Sequence, residues 1–249
     1  MTQGYTFYAS EVSYFSGKVR AYLRYKRIPF SEMLNTREAY LEVILPRVGW
    51  PVIPVVITPE GGTLQDSTEI IDELERRFPT PPIYPSSPRQ RLAALLLEVY
   101  GDEWLKLPAM HYRWNRNYDF AIAEFGAMQT PGAPADEQRE AGLRISKPFA
   151  GALPFLGVTP KTESAIEESY LGLLDELNVH FGTYEFLFGT RPSMGDFGLF
   201  GPLYAHQYRD PASGELMKSR APHVARWVER MMTPPNPKGG EFLPRDEVP

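Results

Sequence analysis

The sequence predicts an α/β domain followed by an all-helical domain. Residues 5–77 alternate between short apolar runs and segments with helical spacing. Residues 79–89, PTPPIYPSSPR, hold five prolines and no helical pattern, which is typical of a stiff linker. The patterns beyond that linker have helical spacing. We therefore place the two domains at residues 1–82 and 89–249.

The first domain is predicted to have the order β-α-β-α-β-β-α. Its first strand is Tyr5–Ala9, and Phe15, Val19 and Tyr22 then share one face of a helix that should end near Arg27. Two adjacent glycines, residues 61 and 62, predict a hairpin turn. The other expected elements are an edge strand at 29–34, a short helix at 37–45 stopped by Pro46, strands at 51–57 and 63–65, and a helix capped by Asp66 or Ser67.

The second domain is predicted to begin with a long helix. Leu92, Leu95, Leu96 and Val99 have helical spacing, and this helix should run towards residue 114 with a bend at Pro108. A loop is expected at 126–135 and a proline-rich tail over the surface after residue 233. Further helices are expected at 136–147, from Thr159-Pro160 to Phe181, at 193–208 and at 222–232.

Composition excludes several classes of function. The 249 residues contain no cysteine, so disulfides, cysteine–zinc sites and chemistry on a protein thiol are excluded. The net charge of −5 indicates no basic face for nucleic acid. No apolar run reaches the length of a membrane span, and the first residues lack the regions of a secretory signal. No residue spacing suggests a metal site, and a cytoplasmic location is expected.

The turn between the first strand and the first helix is the strongest candidate for a site. Ser13 and Ser16 lie where the turn becomes a helix. Free backbone N–H groups and the positive end of the helix dipole meet at such a junction, so an anion or an ionising thiol is stabilised there. A serine hydroxyl can donate one more hydrogen bond to a thiolate. The alternative is that Ser13 or Ser16 only caps the helix, since serine is a favoured N-cap residue.

Four short motifs resemble those of the glutathione transferase superfamily. SYFSGKVR at residues 13–20 is similar to the Ser/Cys-Pro-Phe signature of the serine and cysteine classes, with Tyr14 in place of the proline. IPV at 53–55 resembles the family's Val-Pro-Val, and QDS at 65–67 its Glu/Gln-Ser pair. RPSMGDF at 191–197 is similar to its buried capping box. The resemblance implies a thioredoxin-like first domain, a helical second domain, and a serine-type bacterial-like or a metaxin-like branch.

The resemblance also implies roles for individual residues. Ser13 would stabilise the thiolate of glutathione, of which only about 3% is ionised at neutral pH. Tyr8 and Tyr14 are rival donors. A cis Pro54 would present the backbone of Ile53 to the cysteinyl unit of glutathione. The γ-glutamyl group would be held by Gln65, Asp66 and Ser67, and the glycyl carboxylate by Trp50, Arg37 or Lys18. A second-substrate pocket would contain Tyr14, Trp104, His111 and Trp114.

The implied function is a homodimeric glutathione transferase of the detoxification type. Glutathione would be a substrate, and its thiolate would attack a small electrophile. A glutathione-dependent peroxidase would need no further residues. The alternative from another class is a binding or interaction protein that has kept the fold and lost the chemistry. The metaxin-like branch of the family is often non-enzymatic in this way. The intact Asp66-Ser67 pair favours the enzyme.

Overall fold

The computed structural model describes residues 4–233, 240–244 and 246–249. The first domain contains a four-stranded sheet with the strand order β2-β1-β3-β4. Strand β1 pairs in parallel with β2 and antiparallel with β3, and β3 pairs antiparallel with β4. Strand β2 is an edge strand, as predicted. The strands are β1 (Tyr5–Ala9), β2 (Phe30–Leu34), β3 (Val55–Ile57) and β4 (Thr63–Gln65).

The helices of the first domain confirm the predicted order and correct two boundaries. Pro46 does not stop the second helical segment, because it lies in the first turn of α3, where a proline is tolerated. That segment ends instead at Gly49, which has a φ of 89°. The strand predicted at 51–57 begins only after Pro54. The helices are α1 (Tyr14–Tyr25), α2 (Arg37–Ala39), α3 (Leu45–Val48) and α4 (Ser67–Arg77), with a π-helical turn at Tyr40–Ile44.

The second domain is helical throughout its described elements, and it confirms the predicted fold class. Some predictions about it were wrong. Residues 126–129 are helical rather than part of a loop, and the helix predicted to start at Thr159-Pro160 begins only at Glu163. The helices at 118–129 and 211–220 were missed. The helices are α5 (Pro88–Val99), α6 (Lys106–His111), α7 (Tyr118–Gln129), α8 (Ala135–Gly151), α9 (Glu163–Phe181), α10 (Met194–Pro202), α11 (Pro211–Arg220) and α12 (Pro222–Met232). π-Helical turns lie at Tyr100–Trp104, Tyr112–Arg116 and Leu203–Tyr208.

Helix α10 lies at the centre of the second domain, and two glycines let other helices approach it. A Cβ on Gly198 would lie 2.6 Å from the Cα of Glu98, and one on Gly101 would lie 2.5 Å from the carbonyl oxygen of Gly198. The backbone of α10 is therefore in direct contact with α5 and with the π-helical turn that follows it. Asp196 at the start of α10 accepts the amide of Ser193, which confirms the predicted capping box.

The described part of the C-terminal tail lies against the second domain. The amide of Leu243 donates to the carbonyl of Phe188 at 2.8 Å, and the side chain of Gln90 donates to the carbonyls of Leu243 and Glu247. The rest of the predicted surface tail, residues 234–239 and 245, lies outside the described residues. Across the described helices, none has both the length and the apolar character needed to cross a membrane.

Candidate functional site

Three predicted site segments lie at the same end of the sheet. Tyr8 near the end of β1 pairs with Val55 at the start of β3, and Val55 pairs with Gln65 at the end of β4. The chain therefore leaves β1 into the turn before α1, enters β3 after Pro54, and leaves β4 into the N-terminus of α4, all beside one row of residues. The N-termini of two helices thus begin at the same edge of the sheet as Pro54.

Ser13 is the N-cap residue of α1. Its backbone is extended, with φ of −92° and ψ of 123°, and its Oγ accepts the amide of Ser16 at 3.3 Å. Because this hydrogen bond uses the hydroxyl oxygen as an acceptor, the hydroxyl proton remains available for an acceptor at the helix end. The side chain is half-buried. Capping and donation to a ligand are therefore compatible in one residue.

Of the two rival donors, Tyr14 is committed elsewhere. Its hydroxyl donates to the backbone carbonyl of Asp102 at 2.7 Å, and its ring is buried against Phe15 and His206. Burial, followed by the nearby Asp102 carboxylate, raises the pKa of Tyr14 well above 10. This position favours neither the role of thiol donor nor a place in a substrate pocket. Tyr8 is half-buried on β1 and remains a rival.

The peptide bond between Ile53 and Pro54 is cis, as the resemblance implied. Pro54 is buried, whereas Ile53 is half-buried. Neither the N–H nor the C=O of Ile53 takes part in a hydrogen bond within the described residues. The backbone of Ile53 can therefore pair with an extended ligand, as the edge of a sheet pairs with a peptide.

Asp66 and Ser67 open helix α4. The Oδ1 atom of Asp66 accepts the amides of Thr68 and Glu69 at 2.9 and 3.4 Å, so Asp66 rather than Ser67 is the N-cap residue. Asp66 has a φ of 75° and is exposed, Ser67 is buried at the first helical position, and Gln65 is half-buried at the end of β4. The exposed carboxylate and the helix N-terminus could bind the two opposite charges of an amino acid group.

A buried ion-pair network behind these two helices was missed by the sequence reasoning. Lys18 of α1 is completely buried, and its Nζ donates to Glu98 Oε1 and Asp102 Oδ2, both at 2.6 Å, and to Thr68 Oγ1 at 3.1 Å. Burial raises the pKa of Asp102 to about 6, although Lys18 opposes the shift. Lys18 is thus unavailable to a glycyl carboxylate. The sequence did contain a sign of this burial, because Lys18 lies four residues from both Tyr14 and Tyr22 and therefore on the same buried face of α1.

The four residues assigned to a second-substrate pocket do not meet. Trp104 lines a cavity of about 300 Å³ between residues 100–108 and α9, together with Leu107, Leu156 and Ile166. His111 is fully buried, with Nε2 2.8 Å from Glu167. The remaining members lie elsewhere: Trp114 packs against Phe125 and Phe149, and Tyr14 lies in the main core. Among the described residues, no three His, Asp or Glu side chains converge as a metal site would require.

Comparisons with known proteins agree with this architecture. Residues 7–82 match the model of the glutathione S-transferase N-terminal domain, and residues 138–230 match that of the glutathione S-transferase C-terminal domain. Together the two matches cover more than half of the chain. No curated protein sequence matches the chain.

Solved structures show the same fold at low identity. A glutathione S-transferase from Methylobacterium radiotolerans, in complex with glutathione sulfonate, is 20% identical with a TM-score of 0.59, over 98% of this chain and 97% of that one. One from Methylobacillus flagellatus with glutathione bound is 19% identical with a TM-score of 0.57, over 94% and 97%. The beta-etherase LigF from Sphingobium sp. strain SYK-6 is 16% identical with a TM-score of 0.64, over 95% and 98%.

Proposed function

Because the chain belongs to the glutathione S-transferase superfamily, we propose that it binds reduced glutathione at the end of the sheet where α1 and α4 begin. In this proposal the hydroxyl of Ser13 donates a hydrogen bond to the glutathione sulfur and stabilises its thiolate. The thiolate then attacks an electrophilic carbon of a small molecule, a carbon–sulfur bond forms, and the leaving group departs with its electron pair. The described structure supports this proposal through one observation above all, the convergence of two helix N-termini beside cis Pro54.

The convergence matters because glutathione carries complementary groups along an extended backbone. Its thiol belongs at the N-terminus of α1, where Ser13 and the helix dipole both favour an anion. Its cysteinyl backbone can pair with the free backbone groups of Ile53. Its γ-glutamyl carboxylate suits the N-terminus of α4 at Ser67, and its ammonium group suits Asp66 or Gln65. Two of the solved relatives were crystallised with glutathione or its sulfonate, which favours this ligand.

We also propose that the protein is a homodimer. Leu92, Leu96 and Val99 form an apolar stripe on α5, and they are 59%, 61% and 53% exposed. Apolar side chains at such spacing on one exposed face are typical of an interface between subunits. Sedimentation of the wild type and of the Leu96→Glu variant checks this proposal, with the variant expected to shift towards the monomer.

Calorimetric titration with reduced glutathione at pH 7.5 tests the proposed function. Binding with a Kd between micromolar and low millimolar, about −8 to −4 kcal/mol, supports it. S-methylglutathione is the matched ligand, because it keeps the backbone and charges but has no thiol to ionise. Ser67→Ala should weaken both ligands, whereas Ser219→Ala, on the exposed end of α11, should weaken neither. No heat of binding at several millimolar glutathione would overturn the proposal.

A non-catalytic binding or interaction protein with the glutathione transferase fold is the second candidate, and one observation favours it. Of the three residues predicted to hold the glycyl carboxylate, Lys18 is held inside the ion-pair network, whereas Arg37 and Trp50 are exposed. Transfer of glutathione to 1-chloro-2,4-dinitrobenzene separates the two candidates. A protein that binds glutathione and does not raise the rate of this reaction is a binding protein.

A further inference from the structure

The turn that carries Ser13 is held by side chains of the second domain. The Oγ of Ser10 donates to the sulfur of Met128 in α7 at 2.8 Å. The carboxylate of Glu11 accepts the hydroxyl of Tyr204 from the π-helical turn after α10. The side chain of Val12 is buried in a cluster with apolar residues of the second domain, including Trp114, Phe125 and Ile166. Residues 10–12 therefore each have a contact outside the first domain.

Among the described residues, Arg113 is the only charged side chain that forms a hydrogen bond with the backbone of this turn. Its Nη1 donates to the carbonyl oxygen of Val12 at 2.6 Å. That carbonyl belongs to the peptide bond that joins Val12 to Ser13, so its position fixes the plane from which the Ser13 side chain projects. Arg113 itself makes no described hydrogen bond to Ser13 or to the start of α1.

All five N–H groups of Arg113 have acceptors, so its orientation is fully specified. Nε and Nη2 form a bidentate pair with Asp210 at 2.7 and 2.9 Å. Nη2 also donates to the carbonyl of Ala205, and Nη1 donates to His206 Nε2 at 2.9 Å. Both Arg113 and Asp210 are buried. The guanidinium is therefore fixed in the interior by hydrogen bonds from all three of its nitrogens.

The groups around Arg113 and Asp210 favour an ion pair whose two charges cancel. His206 is buried, and this burial, followed by the neighbouring Arg113 and Arg209, lowers the pKa of His206 well below its usual range. His206 is thus an uncharged acceptor for Arg113. Burial raises the pKa of Asp210, but Arg113 opposes that shift by donating two hydrogen bonds to the carboxylate. Because Asp210 already balances its charge, Arg113 adds little electrostatic potential at the turn, and its main effect there is to orient the backbone.

We propose that Arg113 is a positioning residue for Ser13: by holding the carbonyl of Val12, it fixes the Ser13 hydroxyl where the glutathione thiolate is stabilised. This inference rests on the proposed function and adds to it a residue from the second domain. Lysine cannot replace Arg113, because three donors on one nitrogen cannot satisfy Asp210 in a fork and reach Val12 as well.

The test compares Arg113→Lys with Arg116→Lys. Arg116 lies in the same π-helical turn, is partly exposed, pairs with Glu167 and has no described hydrogen bond or ion pair with the turn before α1. We expect Arg113→Lys to raise the pKa of the bound glutathione thiol by roughly one unit and to lower kcat about tenfold at pH 6.5. The KM for glutathione should change little, and kcat should recover at high pH, where the thiolate forms unaided. Arg116→Lys should match the wild type.

Two further arms keep the test decisive. If Arg113→Lys does not fold, Arg113→Met/Asp210→Leu replaces the buried pair with apolar groups of similar size, and the same rise in thiol pKa is expected. Amide hydrogen exchange at residues 10–16 needs no glutathione. If amides at residues 10–16 exchange at least about tenfold faster in Arg113→Lys than in the wild type, the inference is supported. This result stands even if glutathione does not bind, because the absence of binding refutes only the proposed function. A folded variant with wild-type thiol pKa, or wild-type exchange at residues 10–16, overturns the inference.

Discussion

The Ser13→Ala variant tests the chemistry at the N-terminus of α1. The substitution removes two interactions with different consequences. One is the cap, in which Ser13 Oγ accepts the amide of Ser16 at 3.3 Å. The other is the hydrogen bond that the hydroxyl proton is proposed to donate to the glutathione thiolate. Loss of the first changes the stability of the protein, and loss of the second changes the pKa of the bound thiol.

The structure sets the size of both effects. Loss of an N-cap side chain costs about 0.5–2 kcal/mol of unfolding free energy. A hydrogen bond to a charged group contributes about 1.5–3 kcal/mol, which corresponds to a rise of roughly one to two units in the thiol pKa. The backbone N–H groups and dipole of α1 remain in the variant. The bound thiol should therefore stay somewhat more acidic than the free thiol.

The assay is a pH titration of the ultraviolet absorbance of bound glutathione thiolate, with unfolding in urea measured in parallel. Ser16→Ala is the matched control. Its Oγ accepts the amide of Ser10 at 3.3 Å, so this variant also loses one hydrogen bond of the same turn. We expect both variants to lose stability, and Ser13→Ala to raise the thiol pKa by more than Ser16→Ala, which loosens the turn but keeps the Ser13 hydroxyl. An unchanged thiol pKa in Ser13→Ala would refute the assigned role and direct attention to Tyr8.

Three further predictions concern the interior. Asp196→Ala removes the acceptor of four donors, two from Ser193 and one each from Leu187 and Trp227, and should cost about 4 kcal/mol in urea unfolding; a loss below about 1.5 kcal/mol would contradict this. Gly198→Ala should lower the melting temperature, because its Cβ would meet backbone at 2.6 Å; Gly172→Ala, which has open space, is the control. Lys18→Met leaves the buried carboxylates of the ion-pair network unpaired, which raises their folded-state pKa above the unfolded value. Its stability should therefore fall as pH rises from 5 to 8, and a loss that does not depend on pH would contradict the reasoning.

The sequence predicted the first domain well because its signals are local. Short apolar runs, the Gly61-Gly62 turn and the Asp66 cap each act within a few residues, and each was confirmed. The helix at 211–220 was missed because it lacks a clear apolar stripe, and its buried residues include Ser213 and Gly214. Where a helix is held by close backbone packing, hydrophobic periodicity carries little information.

Orientation in the second domain could not be predicted in the same way. The leucines of α5 indicate a helix, but they lie on its exposed side, whereas Gln90, Ala94 and Glu98 face the interior. The sequence rule that apolar residues are inside is reversed here, because an ion-pair network and a contact with Gly198 occupy the inner face. The role of Arg113 could not be predicted either. Its bidentate partner Asp210 is 97 residues away, a distance that no local pattern spans.

The candidate site depends on both domains, even though its assigned residues lie in the first. Helix α1 is anchored behind its N-terminus by Lys18, and α4 by Thr68, and both side chains contact Glu98 of α5. The turn before α1 is held from the second domain by Arg113. Preorganised donors stabilise a developing anion because they need no rearrangement when charge appears. The isolated first domain would keep the sequence motifs but lose the contacts that orient both helix N-termini, so under the proposed function we expect it to stabilise the glutathione thiolate less than the whole chain does.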